Sequence, residues 1–86
     1  MPTISVFYGI VIRMFVKDHP PPHFHALYGE YRARVAIATG EAIDGDLPPR
    51  AARLVREWTD LHRSELETNW ERAEQMRPLE PIEPLP

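Results

Sequence analysis

Apolar residues follow two rhythms along this 86-residue chain. Across residues 4–38 they are mostly β-branched or aromatic and tend to fall at every second position, whereas across residues 50–73 they recur at spacings of three and four. The first rhythm predicts strands and the second an amphipathic helical region.

Residues 4–16 are interrupted at Tyr8-Gly9, which predicts two short strands joined by a tight turn. Ile10, Ile12, Met14 and Val16 fall on one face of the second strand, and Val11, Arg13, Phe15 and Lys17 on the other. Pro20, Pro21 and Pro22 then end the pairing, because proline has no backbone N–H to donate. A second hairpin is predicted from residues 23–28 and 31–38 around Gly29-Glu30, since glycine first in a two-residue loop signals a type II′ turn. This register sets Tyr28 opposite Tyr31, Ala26 opposite Ala33 and Phe24 opposite Val35, giving one apolar face. The other face carries His23, His25, Leu27, Arg32 and Arg34, with His25 across from Arg34, Leu27 across from Arg32 and His23 beside Ala36.

Residues 40–46 read as a loop and Pro48-Pro49 as a first helical turn. Leu54, Val55, Trp58, Leu61, His62, Leu66, Trp70 and Ala73 then form a helical stripe suited to covering a sheet. Ser64 and Glu67 have capping-box spacing, so the region is either one bent helix or two helices broken near residues 61–63. The fold class is therefore α+β: a small antiparallel sheet of about four strands in two hairpins, packed by a C-terminal helical region. Residues 1–76 make the single domain, and residues 77–86, with four prolines, are an extended or disordered tail. The pattern does not say which sheet face the helices cover.

The absence of cysteine excludes disulfides and thiolate metal sites and fits a reducing compartment. No secretion signal is visible, and no apolar run approaches the roughly 20 residues a membrane span needs. A cytoplasmic protein with no membrane contact is expected. The net charge of -3 divides into +2 over residues 1–40 and -5 over the remainder, which permits an anionic ligand on the first half.

Asp18-His19-Pro20-Pro21-Pro22-His23-Phe24-His25 places three of the four histidines within seven residues. Three uses follow from the chemistry of imidazole. In the first, His23 and His25 are the catalytic acid and base, with Arg32, Arg34 and His19 binding the ligand. Histidines beside guanidiniums suffice for metal-independent RNA cleavage and require no cofactor, and the same face without chemistry would bind RNA, with Tyr28 or Tyr31 as stacking groups. In the second, His23 and His25 project to one face and bind a divalent transition metal, with Glu30, His19 or a residue of another subunit completing the set. His19 fits less well, since an extended proline segment puts its Cα roughly 12 Å from that of His23 unless a cis proline folds the segment back. In the third, the histidines flank a rigid corner, with rings stacked on prolines or bonded to carbonyls the prolines leave unpaired, and the protein is a non-catalytic interaction module.

Pro2-Thr3-Ile4 after the initial methionine, the segment from Asp18 to Ala26, Leu54-Val55-Arg56-Glu57-Trp58, His62-Arg63-Ser64-Glu65-Leu66 and Asn69-Trp70 together resemble the bacterial domain-of-unknown-function family numbered 4160. The resemblance runs to about Gln75. It implies a small protein often encoded beside a second small protein that serves as its partner, an arrangement similar to toxin-antitoxin pairs, and it supplies no catalytic residues. The leading expectation is thus a component of a toxin-antitoxin-like module whose histidine/arginine sheet face engages RNA or another phosphate ligand.

Overall fold

The computed structural model describes residues 2–86; Met1, the first residue of the predicted domain, lies outside the described residues. Five strands form one antiparallel meander in the order β1 (Thr3–Phe7), β2 (Ile10–Arg13), β3 (His23–Tyr28), β4 (Tyr31–Ala36) and β5 (Ala42–Asp46), followed by α1 (Pro49–Leu61) and α2 (Arg63–Glu74). The fold is α+β as expected, with one strand more than the two hairpins supply.

Both predicted turns form. Tyr8 and Gly9 each have positive φ, 50° and 80°, between the paired residues Phe7 and Ile10. Gly29 has φ 57° and every β3–β4 pair predicted from its loop is present, from Tyr28 opposite Tyr31 to His23 opposite Ala36. The extra strand lies in the segment read as a loop. Its register puts Gly45 opposite Ala33, where a Cβ on Gly45 would collide with the Arg32 carbonyl oxygen, so glycine is what lets β5 approach β4.

The helices cover the Phe24 face. Ile10, Ile12, Phe24, Ala26, Ala33 and Val35 share a core with Val55, Trp58, Leu66 and Ala73, and the Trp58 ring meets Phe7 and Phe24 at centroid distances of 5.2 and 5.6 Å. The helical region is two helices, broken at His62. Ser64 lies inside α2 and caps nothing; the His62 ring nitrogen pairs instead with Glu65 at 2.6 Å. Leu61, counted in the apolar stripe, is exposed because α1 ends there and α2 restarts in a new phase. Val16 is exposed too, lying past the end of β2.

From Arg77 the chain is extended and packs on its own domain. Ile82 is 5% exposed and its N–H donates to the Ile4 carbonyl at 2.8 Å. Trp58 Nε1 donates to the Glu83 carbonyl, and the Asn69 amide exchanges two hydrogen bonds with the Glu80 backbone. Among the described residues no helix is long and apolar enough to cross a membrane.

Candidate metal centre

With the helices on the Phe24 face, the histidine/arginine face is left open except at one end. There Trp70 of α2 reaches the start of β3 and stands 5.4 Å, centroid to centroid, from His23, which is 1% exposed. His25, two residues on, stays on the same face with 27% of its side chain exposed, and Phe15 packs edge-on against it at 4.5 Å.

The connection from β2 to β3 brings a third group to this pair. Lys17 N–H donates to the Ala73 carbonyl of α2, which ties the connection down one residue before Asp18. Asp18 Oδ2 then lies 3.1 Å from His23 Nε2 and 3.1 Å from His25 Nε2. The ligating atoms of Asp18, His23 and His25 all fall within 4.8 Å of one another. The Pro20–Pro21 peptide is cis.

Tautomers follow from the partners. His23 Nδ1 is 2.8 Å from the Pro21 carbonyl, which can only accept, so Nδ1 carries a proton and, in the neutral ring, Nε2 presents a lone pair. That lone pair is buried, and Nε2 finds no hydrogen-bond partner among the described residues despite its closeness to Asp18. His25 Nε2 donates to Asp18 Oδ2, and the His19 backbone N–H donates to Oδ1 at 2.9 Å. Burial pushes the Asp18 carboxyl up, but the hydrogen bonds from His25 and the His19 backbone, with the nearby imidazoles whenever they are protonated, hold it below its ordinary value.

The other residues singled out by sequence fall around this cluster rather than in it. The His19 ring is exposed, and this residue serves the site through its backbone. Glu30 is at the exposed hairpin tip, so the carboxylate beside the histidines is Asp18 and not Glu30. Arg34 is opposite His25 as expected, but its guanidinium is held by Asp44, with Nε 2.9 Å and Nη2 2.5 Å from Oδ2. This bond holds the Asp44 carboxyl below its ordinary value. Arg32 is exposed on the same face, and a cavity of about 150 Å³ lined by His25, Arg32, Arg34 and Asp44 opens there. The expectation of a histidine bonded to a carbonyl next to the prolines is met by His23, although the ring keeps its second nitrogen free for the cluster.

A family model for a domain of unknown function, DUF4160, matches residues 9–71. The chain belongs to this family. No curated protein and no solved structure matches it. Asp18, His23, His25, Arg32 and Arg34 lie inside the matched DUF4160 segment, while the strap from Arg77 lies beyond it. In the sequence Asp18 stands out only as the head of the histidine-proline segment. The signal that it joins the cluster is chain reversal across three prolines, which spacing along an extended chain does not reveal.

Proposed function

We propose that this protein binds a divalent transition metal through Asp18, His23 and His25. The observation that carries this reading is the buried His23 Nε2, whose lone pair lies 3.1 Å from a carboxylate oxygen without a proton shared between them. Two ligands each about 2.1 Å from one ion and about 90° apart are separated by about 3 Å, which is the spacing of Asp18 Oδ2 from each imidazole. His23 also has the outer contact of a metal-bound imidazole, its far N–H given to a backbone carbonyl. With the His25 proton displaced from Nε2 to Nδ1 on binding, two neutral nitrogens and one carboxylate would suit zinc, iron(II), cobalt(II) or manganese(II) and leave positions open toward the uncovered sheet face. A bound ion would supply Lewis acidity or an activated water there.

The test is metal content after purification without chelators, followed by titration of the stripped protein with each ion. One ion per chain is expected for the wild type and none for Asp18→Asn. Failure of the wild type to take up any of the four ions would overturn the assignment.

A second reading, an RNA- or phosphate-binding component of a toxin-antitoxin-like module with a small partner protein, is favoured by the helices covering the opposite face. Its catalytic version is weakened by burial of His23, which leaves His25 alone to exchange a proton with a ligand, and by the Asp44 contact on Arg34. Induced expression in a bacterial host separates the readings. Growth arrest by the wild type but not by folded His23→Ala/His25→Ala, in a protein that carries no metal, would favour the second.

A further inference from the structure

Arg13 stands on β2 directly opposite His25, on the face the helices leave open. Its Nε is buried and has no hydrogen-bond partner among the described residues. A guanidinium N–H shut away from both water and an acceptor is costly, and native proteins rarely leave one so.

The row to which Arg13 belongs runs Arg13, His25, Arg34, Asp44 across β2 to β5. His25 is thus flanked by two arginines that differ in one respect. Arg34 is answered by a carboxylate of its own chain, gripped through Nε and Nη2. Arg13 has no ion pair among the described residues. Directly opposed side chains on neighbouring strands start about 5 Å apart at Cβ, so a long arginine next to His25 can serve a ligand that also touches the histidine centre.

We infer that Arg13 forms an oxyanion subsite next to the centre. Once rotation of the side chain uncovers Nε, a carboxylate or phosphate group of the ligand takes on Arg13 the place that Asp44 takes on Arg34, and another oxygen of the same ligand enters the open side of the Asp18, His23 and His25 set. The guanidinium fork matches either oxyanion in a bidentate fashion, whereas lysine would offer only a point charge. This inference rests on the metal reading above.

The experiment loads wild type, Arg13→Gln and Arg13→Lys with cobalt(II) and follows the visible absorption of the bound ion during separate titrations with inorganic phosphate and with acetate. In the wild type at least one anion should shift the spectrum saturably, and the one that does so identifies the oxyanion. Arg13→Gln should weaken that response by about 10- to 100-fold, the range of a charge-assisted hydrogen-bonded pair, with Arg13→Lys in between. All three proteins should keep the same cobalt stoichiometry, and thermal unfolding confirms that they are folded. Cobalt uptake with an anion response that is absent, or equal in wild type and Arg13→Gln, overturns this inference alone. No cobalt uptake by the wild type overturns the metal reading and this inference with it.

Discussion

Asp18 Oδ2 lies 3.1 Å from His23 Nε2, yet no hydrogen bond joins them. Because the Pro21 carbonyl fixes a proton on His23 Nδ1, this contact sets the Nε2 lone pair of the neutral ring, itself closed to solvent, against a partly exposed carboxylate. Two acceptors so close repel in a low-dielectric setting unless something positive lies between or beside them. Only an added proton or a cation meets that need, and a cation would also take His25 Nε2 as a ligand once the proton that nitrogen donates to Asp18 is displaced to Nδ1.

Asp18→Asn tests the carboxylate with almost no change of shape. It should lower metal affinity by more than the roughly 10- to 100-fold that losing an outer contact to a ligand costs. Stability of the metal-free protein should change by no more than about 1 kcal/mol, because Asp18 is partly solvated. Competition against a chelator and urea unfolding measure the two quantities separately. Unchanged affinity in the folded variant would remove Asp18 from the centre.

Metal binding should also raise thermal stability. An ion at 100 times its Kd stabilises the native state by about 2.7 kcal/mol, and each kcal/mol moves Tm by about 4–8 °C in a domain of this size. A rise of about 10–20 °C, reversed by chelator, is expected in the wild type. His23→Ala should lose that rise and also start from a lower metal-free Tm, because its ring packs on Trp70. A metal-induced rise in His23→Ala equal to that of the wild type would show that the ion binds elsewhere.

Some of this is legible in the chain and some is not, for local reasons. The β3–β4 register follows from Gly29 and strict alternation, which by themselves put His25 opposite Arg34. β5 is hidden because Ala42-Ile43-Asp44-Gly45-Asp46 has one β-branched residue and depends on the absence of a side chain at position 45. The break at His62 is foreseeable, but not its cause, since Ser64 sits within the helix. Order along the chain points to Glu30 as the carboxylate ligand, whereas the fold selects Asp18 by bending the proline segment over β3.

Gly45→Ala should therefore detach the edge strand. The glycine has φ 80°, and an added methyl group would meet the β4 backbone, so relief requires β5 to move away. The expected cost is above about 1 kcal/mol, more than an unstrained glycine substitution would change. Hydrogen exchange should quicken at residues 42–46 while β2 and β3 stay protected. Equal protection of β5 in wild type and variant would refute this account of the strand.

The same edge should respond to acid. Arg34 holds the folded Asp44 carboxyl below its ordinary value of 3.8, so the stabilisation it contributes is complete above that value and fades as pH falls through the lower, folded one. Asp44→Asn should flatten the acid limb of stability below about pH 4. Urea midpoints of the two proteins across that range provide the comparison, and parallel acid limbs would show that the Arg34 contact contributes nothing.

The C-terminal strap offers the last test, because its two main anchors act on one segment. Asn69, 2% exposed, gives its Nδ2–H to the Glu80 carbonyl at 2.8 Å and accepts the Glu80 N–H at 3.0 Å, so a side chain imitates one rung of a strand ladder. Two residues on, Ile82 fills the core and pairs with Ile4. Asn69→Ala should cost about 1–3 kcal/mol through unpaired buried groups, and Ile82→Ala about 2–4 kcal/mol through the cavity it leaves. If either change releases the strap, the other has less left to lose, so the double variant should fall short of the summed costs by at least about 0.5 kcal/mol. Trp58 reports the release directly, since its Nε1 donates to the Glu83 carbonyl within the strap and its fluorescence should shift red on exposure. Additive costs with unshifted fluorescence would mean that Asn69 and Ile82 stabilise the domain independently and that the strap does not dock as a unit.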